Sequence, residues 1–282
     1  AVDAVVHLAA LSNDPVGDLA PKITYDINHH ASTRLARLAR DAGVRRFLYS
    51  STCSVYGATG GDDLVDEDAP LRPVTPYAVS KVRVEDELHA LADDDFSPVS
   101  LRNATAFGFS PRLRADIVVN NLVGWAYLTG EVKVLSDGTP WRPLVHAEDI
   151  AGAFLALLDA DARAVSARAF NVGRQGENHR VRDIATAVAA TVPGCRVNIT
   201  GEAGNDPRSY RVDFSRLRRA VPAYQPKWTM QEGAAELYAA YRKYGLVADD
   251  FHTRFVRLRR LAALQAAGRL DDDLRFTSAQ QV

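Results

Sequence analysis

The chain has 282 residues, 47% of them hydrophobic and 24% charged, and a formal net charge of −1. That is room for one large globular domain or two modest ones, and near-neutrality offers no basic field to draw in nucleic acid or an anionic membrane. The two cysteines, Cys53 and Cys195, stand far apart and outside any metal-ligand spacing. This argues against a disulfide framework or a metal site and suits a reducing cytoplasm.

No run of about 18 apolar residues and no signal-peptide pattern is read. The abundance of arginine and alanine fits a bacterial source with a GC-rich genome. The chain opens at Ala1 directly into an apolar β-rich run, V-D-A-V-V-H-L-A-A. A native N-terminus seldom starts inside a core strand, so the expectation is a fragment that lacks strands upstream.

In chain order, residues 2–9 read as a buried strand and 27–42 as a helix stopped by Gly43. Residues 46–50 read as a second strand, 77–92 as a helix with its acidic side exposed, and 99–107 as a third strand. Such alternation predicts βαβ units and a parallel sheet covered on both faces. Residues 109–141 break the rhythm with a helix over 116–128, a strand over 132–135 and a turn at 136–138. Residues 144–158 and 169–172 resume it. Helices follow at 181–191, 214–220 and 230–244, with a strand at 196–200 among them. The insertion and the tail therefore predict a discontinuous second domain. Residues 251–274 are amphipathic, with Phe251, Phe255, Leu258, Leu261 and Leu264 on one side. That side is expected to pack on its own body, a dimer interface being the alternative.

The chemistry concentrates in T-P-Y-A-V-S-K, where Tyr77 and Lys81 stand four residues apart on one helix face. A tyrosine, with a reference pKa of about 10, is a poor base near neutrality. A nearby ammonium favours the phenolate, and the tyrosine can then exchange a proton with a hydroxyl or carbonyl. Alone, this spacing equally fits two partly exposed helix residues. Upstream, S-S-T-C-S-V-Y-G (50–57) sets hydroxyls at a strand's carboxyl end, where ligands bind in open parallel sheets. A polar turn is the plain alternative. H-L-A-A (7–10) closes the first strand with small residues that let a cofactor approach the backbone.

In this order and at these distances, the pieces resemble the extended short-chain dehydrogenase/reductase family. Within it they resemble the NAD-dependent nucleotide-sugar epimerase/dehydratase group, UDP-glucose 4-epimerase-like, over nearly the whole chain. The resemblance implies an α/β fold. A Rossmann-like doubly wound parallel sheet (1–108 and 143–175) would hold NAD, with NADP the other choice. A smaller α/β substrate domain (109–142 and 176–282) would hold a nucleotide-diphosphate sugar and end in a helical tail. It implies that Tyr77 is the acid/base, that Lys81 lowers its pKa and holds the nicotinamide ribose, and that Thr52 bonds the reacting oxygen. Leu8, Ala9, Ala10, Leu11, Asn28 and Ala104 would line the cofactor beside Tyr77 and Lys81. Asn121 and Leu122 in V-N-N-L, Arg142 in R-P-L-V-H and Arg208 in D-P-R-S-Y would face the diphosphate. For each arginine a solvated surface charge is the alternative. His146 reads as a structural histidine and Asp149 as the cap of the helix that follows. Family members are often dimers, so a homodimer is a further expectation.

Three departures bear on function. No G-x-G-x-x-G follows a strand, and Gly57, Gly60 and Gly61 fall in a loop after the hydroxyl segment. These 282 residues alone are therefore expected to hold cofactor poorly, and the strand at 2–9 to be an aggregation-prone edge. Second, dehydratases of the group carry acids just after the threonine of the hydroxyl segment. Here Cys53 and Ser54 stand there, which disfavours dehydration. Cys53 reads as a buried thiol, a secondary acid/base being the alternative. Third, Thr105 occupies a position where the group often has asparagine, with Asn103 nearby. The function expected is 4-epimerisation by transient oxidation. A 4-ketoreductase and a non-catalytic nucleotide-sugar-binding protein are the alternatives.

Overall fold

A computed structural model describes residues 2–12, 14–58, 64–202 and 209–277. Strand β1 (Ala4–His7) leads to α1 (Asp14–Leu19) and α2 (Pro21–Tyr25). The latter passes through a π turn at Asp26–Ala31 into α3 (Ser32–Asp41). Gly43 stops that helix with φ +79°, a backbone that favours glycine. Next come β2 (Arg46–Thr52), a 3₁₀ turn at Cys53–Tyr56, β3 (Leu64–Val65), α4 (Pro76–Leu91), β4 (Ser97–Asn103) and β5 (Thr105–Phe107). The insertion holds α5 (Val118–Thr129) and β6 (Glu131–Val134). It is followed by β7 (Trp141–His146), α6 (Ala147–Leu158), α7 (Ala162–Val165) and β8 (Arg168–Val172). The rest is β9 (Asn178–Arg180), α8 (Val181–Thr191), β10 (Arg196–Ile199), β11 (Arg211–Val212), α9 (Ser215–Ala220), α10 (Met230–Tyr244), α11 (Ala248–His252) and α12 (Arg257–Ala266).

Strands β1, β2, β4 and β8 form a parallel sheet in that order. The alternation of β2 shows how the sheet is covered. Phe47 and Tyr49 pack with Ala36, Ala39, Val84 and Leu88 of α3 and α4. Leu48 points the other way, into a cluster with Leu101, Phe154, Leu157, Phe170 and Phe214. A doubly covered parallel sheet of this kind is the Rossmann-like α/β class that the sequence predicts. A separate apolar cluster joins α5, β6, α8 and α10 through Val119, Val123, Val132, Ile184, Val188 and Leu237. Smaller pairings link β5 and β9 to β7, β10 to β6, and β11 to β3. Among the described residues no helix is long and apolar enough to cross a membrane.

The predicted strand over 99–107 is two strands. Ala104 still donates its N–H to Val172 O at 3.0 Å, but the next three residues pair with β7 instead. Helices α1 and α2 were not foreseen, because each is one to two turns long and carries no repeated apolar face. Asp149 does not cap α6. His146 does, its Nδ1 accepting from Glu148 N–H at 3.2 Å. The Asp149 carboxylate instead accepts from Lys227 N–H at 2.8 Å and Trp228 N–H at 3.0 Å, fastening the entry to α10.

Candidate active site

Tyr77 stands in the first turn of α4, and the sequence before it fixes that start. The Thr75 hydroxyl accepts from Ala78 N–H at 3.1 Å and donates to Asp14 Oδ1 at 2.6 Å, while Pro76 opens the turn. Helix α1 approaches closely through Gly17, where a Cβ would lie 3.1 Å from Tyr77 Cβ. One turn on, Lys81 Nζ donates to Ser50 O at 2.6 Å and lies 4.7 Å over the Tyr49 ring and 5.8 Å from the centre of the Tyr77 ring. Thr52, the last residue of β2, accepts from Ser54 N–H at 3.1 Å and lowers the pKa of the Tyr77 phenol. Thr52, Tyr77 and Lys81 are all buried. The strand end and the helix start thus meet where an open parallel sheet exposes its ligand site.

The electrostatics differ from the expectation. Burial pushes the Tyr77 phenol up to about 12, against the pull of Thr52. Burial also draws the Lys81 ammonium down to about 7, against the attraction of Glu85. Desolvation is the first cause of both shifts. It holds both side chains toward their neutral forms.

A cleft of about 590 Å³ opens on this cluster, within the range of small-molecule sites. Thr52, Ser54, Tyr77, Asn103 and Ala104 line it on the sheet side. Asn121 and Arg142 line it elsewhere, as predicted. Asn121 Nδ2 donates to Ala115 O at 2.8 Å, and one Arg142 donor bonds Trp141 O at 2.7 Å. Leu122 does not line the cleft. On a helix its side chain leaves at a different angle from that of Asn121, and it is buried in the α5–α10 cluster. Arg208 lies outside the described residues.

On the cofactor side, Leu8 and Ala9 are exposed and Ala10 is half-buried. Asn28 is buried and acts as a clamp: its Oδ1 accepts from Leu11 N–H at 2.7 Å and its Nδ2 donates to Leu11 O at 3.1 Å. That grip fixes the backbone of the small-residue stretch. In the cleft wall, Asn103 Nδ2 donates to Ser50 Oγ at 3.0 Å, while its Oδ1 is buried with no hydrogen-bond partner among the described residues. An orphaned acceptor in the cleft that Tyr77 and Ala104 also line fits the nicotinamide half of NAD, which carries amide and hydroxyl donors. The sequence supplies no glycine-rich turn for the pyrophosphate half.

Cys53 is a buried thiol. Its Sγ donates to Arg102 O at 3.1 Å, and burial pushes its pKa well above the ordinary value. The residue that follows Thr52 is therefore not a carboxylate. Beneath the site, Arg102 forks onto Glu85, with Nη2 to Oε2 at 2.7 Å, and the Ser51 hydroxyl donates to the same carboxylate. His146 is structural, stacked 4.0 Å from Trp228 and bonded through Nε2 to Glu236 at 3.0 Å. The sequence reading missed Ser12, Asp14, Arg114, Asp116, Val256 and Leu258, all of which line the cleft. Local pattern offered only the Arg114–Asp116 spacing as a signal. The others reach the site through long-range packing.

A Rossmann-like parallel sheet with a Tyr–Lys pair and a threonine at its carboxyl edge defines the extended short-chain dehydrogenase/reductase class. Residues 1–173 match the NAD dependent epimerase/dehydratase family, and the chain belongs to it. It is 30% identical over 246 residues to the UDP-glucose 4-epimerase of Mycolicibacterium smegmatis, covering 85% of this chain and 76% of that protein. It is 27% identical to the dTDP-glucose 4,6-dehydratase of Streptomyces griseus, covering 86% of this chain and 72% of that protein. Among solved structures, MoeE5 in complex with UDP-glucuronic acid and NAD superposes with a TM-score of 0.73 at 29% identity, covering 86% of this chain and 80% of that one. The activity class is that of the NAD-dependent nucleotide-sugar epimerases and dehydratases.

Proposed function

We propose that the chain is a nucleotide-sugar 4-epimerase. The observation that carries this reading is that Thr52 and Tyr77 line one cleft while the residue after Thr52, where dehydratases of the group carry an acid, is a cysteine whose Sγ donates to Arg102 O. Bound NAD supplies reversible hydride transfer at the sugar carbon. In its phenolate form Tyr77 takes the proton from the sugar 4-hydroxyl, becoming the phenol, and returns that proton to the same oxygen after the ring has presented its other face. Thr52 holds the phenol and the reacting oxygen in line. Lys81, kept in place by Ser50 O, would hold the nicotinamide ribose, and Ala104 and the stretch from Leu8 to Leu11 would line the cofactor. Asn121 and Arg142 face the diphosphate, and the sugar is held among residues of 109–142 and 176–282.

The two cleft aspartates that could serve dehydration are engaged elsewhere. Asp14 accepts from Thr75, and Asp116 from Arg114. The test is stoichiometric. The chain is given NAD in catalytic amount and UDP-, dTDP-, GDP- and CDP-hexoses in excess, and products are separated by chromatography. The expected result is an epimer of unchanged mass with no net formation of NADH. A product lighter by one water would make it a dehydratase, and a requirement for stoichiometric reduced cofactor would make it a ketoreductase.

A further inference from the structure

One wall of the cleft comes from the far end of the chain. Phe251 is buried against α5, where Gly124 makes room for it: a Cβ there would lie 2.1 Å from the Phe251 ring. Four residues on, Phe255 O accepts from Ala115 N–H at 3.0 Å. These two anchors carry the chain past the cleft, and Val256, with extended backbone, leads directly into α12 at Arg257. Val256 and Leu258 line the cavity. Between them, Arg257 Nη1 donates to Ser12 Oγ at 2.8 Å.

Ser12 sits between two guanidiniums, for its carbonyl also accepts from Arg114 Nη1 at 3.2 Å. The two arginines are not equivalent. Arg114 forks onto Asp116, at 2.7 Å from Nε to Oδ1 and 2.9 Å from Nη2 to Oδ2. Arg257 has no carboxylate partner among the described residues, and its remaining N–H donors are uncommitted. Ser12 lines the cavity, so this bond holds the exposed Arg257 guanidinium beside the cleft.

We propose that Arg257 is a substrate-contacting, specificity-determining residue: it donates to oxygen atoms of the hexose, while Val256 and Leu258 cover the ring's C–H face. The proposal rests on the nucleotide-sugar reading and adds the end of the substrate that the tail recognises. A guanidinium fixed by one serine contact and otherwise free is suited to paired oxygen atoms. An apolar pair beside it suits the faces of a sugar, which are C–H rich.

The test measures equilibrium binding to the full chain, with NAD in excess, of UDP-glucose, dTDP-glucose and GDP-glucose beside UDP, dTDP and GDP. Arg257 is exposed, so Arg257→Ala is expected to melt as the parent does. For the best-bound sugar, Arg257→Ala should weaken binding about tenfold, as loss of a hydrogen bond from a charged group does, and leave the free diphosphate within about twofold. Arg257→Lys should recover part of the loss, since it keeps the charge and loses the fork. Equal losses for sugar and free diphosphate would put Arg257 on the nucleotide and overturn the proposal. Unchanged binding of both would do the same. A parent chain that takes none of the three sugars would overturn the nucleotide-sugar reading, and this proposal with it.

Discussion

Burial holds the Lys81 pKa at about 7, well below the 10.5 of a free side chain. Between those two values the unfolded chain binds a proton that the folded chain does not, so this residue's contribution to stability rises with pH through that window. The sign is opposite to that of a lysine that gains a partner on folding, because here desolvation is the first cause. Lys81→Met should therefore be more stable than the parent at pH 6 in a urea titration, with the gap closing toward pH 10. A gap independent of pH would show that Lys81 is not desolvated. At this scale the sequence spoke well where the chemistry is local. The Tyr77–Lys81 spacing and the Thr52 strand end both lie where they were expected. What it missed was the balance of burial against charge. That balance depends on Tyr49, Glu85 and Ser50 closing around Lys81, and none of them is near it in sequence except Glu85.

The elements bearing these residues are locked beneath the cleft by one buried ion pair. Arg102 of β4 and Glu85 of α4 are each only 7% exposed, and the guanidinium also donates to the Tyr56 hydroxyl at 3.1 Å and to Glu67 O at 3.2 Å. Removing one partner leaves a buried charge alone, which typically costs about 3–5 kcal/mol. Arg102→Met should lose stability on that order in chemical denaturation, and Arg102→Met combined with Glu85→Leu should regain much of it. A single variant within about 1 kcal/mol of the parent would mean that the pair is solvated. Elements with long periodic patterns, α8 and α10 above all, were legible to their ends. Strand β5 was not, because nothing local marks Ala104 as the point where the chain changes sheets. The role of Asn28 was half legible: its place beside the cofactor stretch was read, but not its grip on Leu11.

On the scale of the whole molecule, the parallel sheet ends at β1, which among the described residues pairs only with β2. Val2, Val6 and Leu8 along it are 63%, 40% and 62% exposed. An exposed apolar edge templates self-association. Light scattering of the pure chain should rise with concentration, and Val6→Lys should suppress the rise. Scattering unaffected by Val6→Lys would place the adhesive surface elsewhere. The cleft wall from the tail shows why whole-molecule features escaped the sequence. The amphipathic side was visible from Phe251 to Leu264, yet its mate, α5 with Gly124, lies far away in the chain.

The central claim is that Tyr77 moves the proton during turnover of a nucleotide sugar. The most direct measurement compares the parent with Tyr77→Phe, each saturated with NAD, for conversion of UDP-, dTDP-, GDP- and CDP-hexoses and for binding of the sugar converted. The account predicts that conversion falls by about 10² to 10⁴, the usual worth of a general acid–base, while binding is kept. Conversion by Tyr77→Phe at the parent's rate would contradict it.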